Sequence, residues 1–289
     1  MTFEKQYKDL MKRIITTGED RETRTGSTIS LFSEHIKVDL NQGFPAVTSK
    51  KLAWKSVVGE LLWFLSGSTD LSDLRKYTFG EDNGQWSIWT DDQKRWQQTT
   101  SFCQGDGDCG DLYGAQWRSQ HGYLDNIYNL IQGIRYEANR RDLMVVTWNS
   151  DDVYYKTMAL KPCHVMFQVY VDKSDKLHLQ WYQRSADTFL GLPFNFASYA
   201  LLTHLLAKWT GKGVGSLSVT LGDAHLYMNQ MNSIKQYLEN PSYELPSLML
   251  PNGCDSLEST LELTASDFEN SLVNYKHAGV VKAPLSVGN

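Results

Sequence analysis

The 289-residue chain lacks several features that would assign it to a specialised class of protein. No run of apolar residues approaches the roughly 18 that a membrane-spanning helix needs, so no membrane partner is expected. The first residues, Met1–Leu10, are charged and contain no apolar run, so we expect no signal peptide and a cytoplasmic location. The formal net charge is −5, which argues against a surface that binds nucleic acid.

Cysteine is scarce, with four residues in the whole chain. Cys103 and Cys109 flank a segment rich in Gly and Asp, CQGDGDC, whose composition predicts a loop. Their spacing is not C-x-x-C and no second pair accompanies them, so no metal site is expected. The acidic residues between them also lack the rest of a calcium-binding loop. A disulfide between the two remains open, although a cytosolic location disfavours one.

The overall composition is that of an ordinary globular protein, with 41% hydrophobic and 21% charged residues. A chain of this length can bury a sizeable core, and it contains no linker, repeat or low-complexity tract. We therefore predict a single domain over residues 1–289. Aromatic residues make up 12% of the chain and include nine Trp, which suits a pocket for a flat ligand.

Hydrophobic periodicity predicts helices and strands that are mixed along the chain without strict βαβ alternation. The predicted helices are Phe3–Ile15, Ala53–Leu65, Leu124–Ala138, Asn195–Trp209 and His225–Leu238. The predicted strands are Ser27–Val38, Leu143–Trp148, Val165–Val171, Leu177–Tyr182 and Leu217–Leu221. Residues 82–114 are polar and rich in glycine, which predicts an elaborated loop with an insertion around residues 82–110. This pattern favours an α+β fold in which helices pack on a mixed or largely antiparallel β-sheet.

Two short segments carry side chains suited to covalent chemistry. Lys161–His164 places a thiol beside an imidazole, and Gln183–Asp187 follows with a guanidinium, a hydroxyl and a carboxylate. A thiolate is a strong nucleophile near neutral pH, and a nearby cation lowers the pKa of the thiol. Cys163 held near Arg184 in a pocket would therefore attack an electron-poor carbon.

Each of the other polar residues in these apolar contexts also has a purely structural interpretation. Glu60 lies within the apolar run VVGELLWFL, where it could sit on an exposed helical stripe. Arg184 and Asp187 could form a structural salt bridge. Asn195 and Asp223 could each cap the helix predicted to follow. No single residue among them decides between structure and function.

Taken together, the motifs resemble those of the thymidylate synthase family, from about Tyr7 to Lys282. The sequence of Gly43–Arg75 most resembles that of phage-type members, and a phage-encoded protein would work in the host cytoplasm. The motifs that carry the resemblance are TRTGS (Thr23–Ser27), the run Gly43–Thr69, LYGAQWR (Leu112–Arg118), Trp148–Asn149, PCH (Pro162–His164), the run Tyr182–Tyr199, and GDAHLY (Gly222–Tyr227). The resemblance implies a thymidylate synthase-like catalytic domain and an obligate homodimer, with the sheet expected at the dimer interface.

The resemblance also implies a reaction. The family converts deoxyuridine monophosphate (dUMP) to thymidine monophosphate (dTMP), with 5,10-methylenetetrahydrofolate as cosubstrate and no metal. Carbon 5 of uracil is too weak a nucleophile alone, and addition of the Cys163 thiolate at carbon 6 turns it into an enolate carbon. Such covalent catalysis divides one difficult step into easier ones.

The resemblance assigns three overlapping groups of residues to the site. The implied catalytic residues are Cys163, Glu60, Tyr113, Arg184, Asp187 and Asn195. The implied substrate-binding residues are Arg24, Arg140, Arg141, His164, Gln183, Arg184, Ser185, Asn195, His225 and Tyr227. The implied folate-binding residues are Lys50, Ile88, Trp89, Asp187, Leu190, Gly191 and Phe194.

Several of these residues have a specific implied role. Glu60 organises water and proton transfers at the pyrimidine. Asn195 can accept the N3–H of uracil and donate to its O4, which favours uracil over cytosine. His225 and Tyr227 grip the deoxyribose hydroxyl, and Tyr113 lies near the nucleophile.

Arginines carry the implied phosphate contacts. Arg24 and Arg184 with Ser185 come from the same subunit, whereas Arg140 and Arg141 match arginines that the family supplies across the dimer interface. A guanidinium fork suits a dianionic phosphate better than an ammonium does.

The chain departs from the family's usual sequence at three places. Thr90 stands where the family usually has Asp after the tryptophan. Asp142 stands where a second arginine would align, so the correspondence of the paired arginines remains open. Gly288 and Asn289 extend the terminus, where the family's terminal carboxylate helps to seal the closed site.

The position of two of these departures keeps an alternative function open. They lie near the place where the site is expected to close over the folate. After the one-carbon unit has been transferred to carbon 5, an exocyclic methylene remains on the pyrimidine, and the exclusion of water decides whether hydride or water reacts with it. Hydride gives dTMP, whereas water gives the product of a deoxyuridylate hydroxymethylase. A non-catalytic nucleotide- or RNA-binding relative is a third alternative, but such a protein would not need the thiol.

Overall fold

The computed structural model describes residues 2–285. Within this range the helices are α1 (Phe3–Thr17), α2 (Trp54–Ser66), α3 (Leu71–Phe79), α4 (Thr90–Thr99), α5 (Tyr113–Arg118), α6 (Asn126–Tyr136), α7 (Ser150–Tyr155), α8 (Gly191–Thr210), α9 (Met231–Glu239) and α10 (Leu257–Thr260). The strands are β1 (Glu19–Thr23), β2 (Gly26–Asp39), β3 (Met144–Val146), β4 (His164–Val171), β5 (Lys176–Asp187), β6 (Gly213–Tyr227), β7 (Ser247–Leu248) and β8 (Leu272–Val273).

The central element is a six-stranded sheet with the order β1-β2-β6-β5-β4-β3. Its β5 and β6 strands run parallel, and all its other neighbouring pairs are antiparallel. Strands β7 and β8 form a separate antiparallel pair. The predicted α+β fold with a mixed sheet is confirmed.

The topology of the sheet gathers the sequence motifs at one edge. Because β5 and β6 are parallel, their carboxyl ends meet, and Asp187 lies opposite His225. The antiparallel neighbours β4 and β2 begin at this same edge, where His164 pairs with Gln183 and the start of β2 pairs with Tyr227. Segments far apart in sequence therefore present their polar side chains to one place.

Helix α8 forms the centre of the core. It contacts β5, β6 and α2, and most of its side chains are buried around its whole circumference, as expected for a central helix. Helix α2 packs against it and ends at Gly67, as predicted. Gly67 adopts a left-handed conformation with φ of 82°, which a glycine reaches without steric cost.

The predicted loop over residues 82–114 is wrong in part, because it contains α4 and the first residues of α5. Helix α4 shows little apolar periodicity, since Trp96 is its main buried apolar side chain. That indole donates a hydrogen bond to the Lys156 carbonyl at 2.8 Å. The negative charges of Asp91 and Asp92 in the first turn stabilise the helix by interacting with the positive end of its dipole. Tertiary packing therefore makes this segment a helix, although its composition predicts a loop.

The predicted helix His225–Leu238 is wrong over its first residues. His225 and Tyr227 belong to β6, and the α-helix begins at Met231. The β6 ladder continues to Tyr227 because β2 pairs with it to that point. Asp223 is therefore no helix cap, and its carboxylate accepts from Arg21 and His225 instead.

Other elements escaped prediction because their patterns are weak or short. Strand β1 has the sequence EDRET and is exposed along its length, so it shows no apolar alternation. The remaining unpredicted elements are α3, α7, α10, β7 and β8. Among residues 2–285, no helix has the length and apolar character that crossing a membrane requires. The extended terminus lies outside the described residues from Ser286 onward.

Candidate active site

A cavity of about 420 Å³ lies at this edge of the sheet and collects most of the predicted site residues. The predicted residues that line it are Arg24, Glu60, Ile88, Trp89, Tyr113, His164, Asp187, Leu190, Gly191, Phe194, Asn195 and Tyr227. Further lining residues, which the sequence analysis missed, are Thr25, Phe64, Asp92, Leu160 and Leu285. Helical spacing could have found Phe64, one turn after Glu60 on α2, and Asp92, one turn after Trp89.

Cys163 stands immediately before β4, and hydrogen bonds fix its backbone. The Tyr113 hydroxyl accepts from the Cys163 amide at 2.7 Å and from the His164 amide at 3.3 Å. The Arg184 amide donates to the Cys163 carbonyl at 2.9 Å. Burial raises the pKa of the Cys163 thiol, the charge of Arg184 opposes that rise, and Asp92 adds to it. The free site therefore holds a thiol with a cation close enough to favour its ionisation.

Arg184 braces the loop that carries Cys163. Its Nε donates to the Pro162 carbonyl at 2.8 Å and its Nη2 to the Lys161 carbonyl at 3.0 Å. The guanidinium also lies 5.7 Å from the centroid of a Trp148 ring. In the described part of the chain it makes no salt bridge with Asp187, so the structural interpretation of that pair is wrong.

Glu60 faces the cavity from α2 and is only 8% exposed, so the exposed-stripe interpretation is wrong. Its Oε1 accepts a hydrogen bond of 2.7 Å from the indole nitrogen of Trp89. Burial raises the pKa of Glu60 to about 7, and the Trp89 hydrogen bond opposes this rise. A carboxyl group with this pKa can both take up and release a proton near neutral pH.

Asn195 points into the cavity from the second turn of α8, so it does not cap that helix. Its Oδ1 accepts from Gln183 Nε2 at 3.1 Å, and the Gln183 Oε1 accepts from Trp181 at 3.1 Å. This relay fixes the orientation of the amide and leaves the Nδ2 group as a donor. Beside it, burial lowers the pKa of His164 to about 4, so its imidazole is neutral at pH 7.

Two charged residues lie around the start of α8, where Asp187 lines the cavity and Lys50 is buried behind that wall. Asp187 Oδ1 accepts from the amides of Phe189 and Leu190, both at 3.0 Å, and so fixes the chain where α8 begins. Lys50 is buried, and its ammonium donates to the Phe189 carbonyl. Burial lowers the pKa of Lys50 to about 8, and the charges of Asp187 and Glu4 oppose this change.

Comparisons with known proteins identify the family of the chain. The sequence model described as thymidylate synthase matches residues 5–287. A probable thymidylate synthase from Escherichia phage T5 is 46% identical over 282 aligned residues, covering 97% of this chain and 99% of that protein. A thymidylate synthase from Listeria monocytogenes serotype 4a (strain HCC23) is 38% identical over 98% of this chain and 100% of that protein. The chain belongs to the thymidylate synthase family.

Membership of the thymidylate synthase family makes the chain a methyltransferase that acts on a pyrimidine nucleotide. The resemblance seen in the sequence is thereby confirmed. Both relatives carry the name of the methylating enzyme, and no observation favours the hydroxymethylase alternative.

A second polar cluster lies at the end of β6, and its members Tyr227 and Thr25 line the cavity. His225 Nδ1 lies 3.0 Å from the Asp223 carboxylate, which also accepts from Arg21 at 2.7 Å. The Tyr227 hydroxyl lies 2.9 Å from Thr25 Oγ1, and burial raises the pKa of that hydroxyl. Tyr227 therefore reaches the cavity as a neutral hydroxyl, held by the turn between β1 and β2.

Some predicted site residues are not among those that line the cavity. Arg140 is exposed and donates to Asp142 at 2.8 Å, and Arg141 is exposed on the same turn. Ser185 lies on β5 opposite Asp223. The described residues of a single chain therefore do not bring the paired arginines to the other predicted site residues.

The cysteines other than Cys163 take no part in this site. All four cysteines lie within the described residues and carry free thiols, so the disulfide left open between Cys103 and Cys109 is not formed. Over residues 2–285, no group of three or more His, Cys, Asp or Glu side chains is placed to hold a metal ion.

Proposed function

We propose that the chain is a thymidylate synthase that converts dUMP to dTMP with 5,10-methylenetetrahydrofolate, acts as a homodimer and works in the cytoplasm. The observation that carries this proposal is the convergence of three groups at one sheet edge. Cys163 stands at the start of β4, and Glu60 and Asn195 face the adjoining cavity. A nucleophile, a proton-transfer group and a base-reading amide are the groups that addition to uracil requires.

The first step proposed is addition of the Cys163 sulfur to carbon 6 of the uracil ring. The two amides held by the Tyr113 hydroxyl fix the direction of the cysteine, so the sulfur needs little reorganisation to attack. Arg184 favours the thiolate, and an arriving nucleotide phosphate would share that guanidinium. Charge that develops on O4 of the ring would be stabilised by Asn195 Nδ2.

Glu60 is proposed to handle protons at the pyrimidine. Its pKa of about 7 allows it to exchange a proton with an ordered water during the reaction. The Trp89 indole holds one carboxylate oxygen, so the other oxygen remains for the pyrimidine or the water. His164 is neutral and therefore adds no competing positive charge to this region.

The wall beside Glu60 fits a flat, partly apolar ring system. Trp89 is 7% exposed and lines the cavity together with Ile88, Leu190 and Phe194. Aromatic and aliphatic surfaces of this kind suit the ring of a reduced folate. When bound there, the folate supplies the one-carbon unit and the hydride. The protein's part is to orient that ring and to exclude water from the pyrimidine.

The phosphate is proposed to bind between arginines of two subunits. Arg24 and Arg184 with Ser185 come from one protomer. Arg140 and Arg141 are exposed in their own protomer, so they remain able to reach the site of a second copy. With the central sheet at the dimer interface, each cavity would then be complete only in the dimer.

One experiment tests this function directly. The purified protein is incubated with dUMP and 5,10-methylenetetrahydrofolate, and both products are identified by mass spectrometry. We expect dTMP and dihydrofolate. Hydroxymethyl-dUMP with tetrahydrofolate, or no consumption of dUMP, would contradict the proposal. A sedimentation measurement on the same sample should give a dimer.

A further inference from the structure

Glu4 is a buried carboxylate that the proposed reaction does not use. It lies in the first turn of α1 and is 3% exposed. Its oxygens accept four hydrogen bonds, from the Thr48 amide (2.8 Å), the Thr48 hydroxyl (3.2 Å), the Ser49 amide (3.2 Å) and the Tyr237 hydroxyl (2.5 Å). Only donors surround this group, which is the environment that a carboxylate with acceptor oxygens alone requires.

The two amides bound by Glu4 belong to the residues that lead into Lys50. Residues 48–50 form an irregular segment without helix or strand, so no backbone ladder fixes their course. The Glu4 carboxylate supplies the missing partners for two consecutive N–H groups, and charge-assisted hydrogen bonds are among the stronger ones in proteins. Helix α1 therefore fixes this segment from one side, while Asn240 and Ala278 donate to the Ser49 and Thr48 carbonyls from the other.

Lys50 in turn reaches the wall formed by Asp187 and the start of α8. Its ammonium donates to the Phe189 carbonyl and lies 4.0 Å from the centroid of the Phe189 ring. Burial lowers the pKa of Lys50, whereas Glu4 and Asp187 oppose this with their negative charges. A buried lysine of this kind depends on its neighbours both for its position and for its charge.

A second residue of α1 supports the same wall. The Tyr7 hydroxyl donates to the Thr188 carbonyl at 2.7 Å and to the Phe189 carbonyl at 3.2 Å. Helix α1 therefore contacts both segments that approach Lys50, the one before it and the one that accepts from its ammonium.

We propose that Glu4 is a positioning residue for Lys50, holding residues 48–49 so that the ammonium stays on the Phe189 carbonyl and supports the Asp187–Leu190 wall on the folate side of the cavity. The inference rests on the proposed function, because the folate side is defined there. Glu4 touches neither substrate, so its effect must pass through Lys50.

The test is a double-mutant cycle between Glu4→Gln and Lys50→Gln, with KM for folate, KM for dUMP and kcat measured for each protein. In the wild type these donors meet a carboxylate oxygen. In Glu4→Gln some of them would face the amide NH2 group instead, so residues 48–49 should shift. We expect KM for folate to rise about 10-fold and KM for dUMP to stay within about 2-fold. In the Lys50→Gln background the same change should have little further effect.

The matched control is Asp9→Asn, which removes a partly exposed carboxylate of the same helix that, among residues 2–285, pairs only with Lys5 and should leave all three parameters unchanged. Parallel rises of both KM values, or equal effects of Glu4→Gln with and without Lys50, would overturn the inference. If Glu4→Gln does not fold, Tyr237→Phe removes one of the four donors and enters the same cycle, with the same selective rise in KM for folate expected. A wild-type protein that forms no dTMP would instead reject the proposed function.

Discussion

The proposed nucleotide side and the proposed folate side of the cavity are built in different ways. On the nucleotide side, His164 and Gln183 lie in a β-ladder, and Asn195 is held by Gln183. On the folate side, Lys50 comes from an irregular segment, and Trp89 stands just before the short helix α4. Strand pairing therefore fixes the first side, whereas side-chain contacts between separate segments fix the second.

This difference assigns chemistry and closure to different parts of the fold. A ladder holds backbone positions firmly, which suits a nucleophile that must meet one carbon atom. Segments that are joined mainly by side-chain bonds can rearrange at lower cost, which suits a wall that receives a second substrate. Changes on the nucleotide side should therefore act mainly on kcat, and changes on the folate side mainly on KM for folate.

The largest effect is expected for Cys163→Ala. Removal of the sulfur eliminates the covalent step, so kcat should fall by at least about 10⁴-fold. Nucleotide binding measured by calorimetry should survive, because the arginines remain. Cys103→Ala, a free thiol outside the cavity, is the control and should keep full activity. Turnover retained by Cys163→Ala would remove the proposed nucleophile.

Glu60→Gln should lower kcat by about 10²- to 10⁴-fold, since the amide cannot transfer protons. In the wild type, kcat should fall as the pH drops below about 7, because the carboxylate must be ionised to accept a proton. This limb of the pH profile should be absent from the variant. The exposed Glu81→Gln serves as control. An unchanged profile in Glu60→Gln would assign the titration to another group.

The same variant should show that the ionised Glu60 side chain lowers the free energy of unfolding of the wild type. The raised pKa means that the folded state binds the Glu60 proton more tightly than the unfolded state, so stability is lost as the pH rises from about 4.5 through 7. At pH 8 the cost is on the order of 3 kcal/mol. Glu60→Gln should therefore melt at a higher temperature than wild type at pH 8 and at a similar one at pH 4. Equal melting temperatures at pH 8 would contradict this.

Asn195→Asp tests base recognition on the nucleotide side. A protonated or ionised carboxyl suits cytosine better than uracil, so the ratio of kcat/KM for dUMP to that for deoxycytidine monophosphate should fall by about 10²-fold. The exposed Asn83→Asp is the matched control. A ratio that does not move would reject the reading of uracil by this amide.

Trp89→Phe should have the smallest effect and should sharpen the comparison between the two sides. KM for folate should rise about 10-fold with a smaller change in KM for dUMP, because aromatic area and one hydrogen bond are lost. In the wild type the hydrogen bond from Trp89 lowers the pKa of Glu60. Without that bond the pKa should rise, so the acid limb of the kcat profile should move to higher pH. Trp86→Phe, half exposed, is the control. Equal rises in both KM values would argue against separate sides.

How far the sequence could predict this structure follows the same division. Apolar alternation predicts β2 and β4 to within one residue, whereas β5 continues five residues beyond its predicted end and α8 begins four residues before its predicted start. Helix α4 was not accessible from the sequence, since Trp96 is its main buried apolar side chain and bonds to a carbonyl more than fifty residues away. The end of β6 was misassigned because Gly222 and Asp223 imitate a helix start, whereas pairing with β2 extends the strand.

The site shows the same pattern at the level of single residues. Motifs recognised in the sequence located Cys163, Glu60 and Asn195, whose types alone suggest chemistry. The role of Glu4 could not be predicted, because a carboxylate in the first turn of a helix looks like a response to the helix dipole. Only the fold places it against residues 48–49, more than forty positions along the chain.

The central claim is that the sheet edge directs the Cys163 sulfur to carbon 6 of a uracil nucleotide. The most direct test incubates the protein with 5-fluoro-dUMP and 5,10-methylenetetrahydrofolate. A base can remove the hydrogen at carbon 5 of dUMP as a proton, but it cannot remove the fluorine in the same way, so the covalent adduct is retained. Intact-mass and peptide analysis should find one covalent adduct, located on the peptide that contains Cys163. No adduct, or an adduct on Cys103, Cys109 or Cys254, would contradict the account.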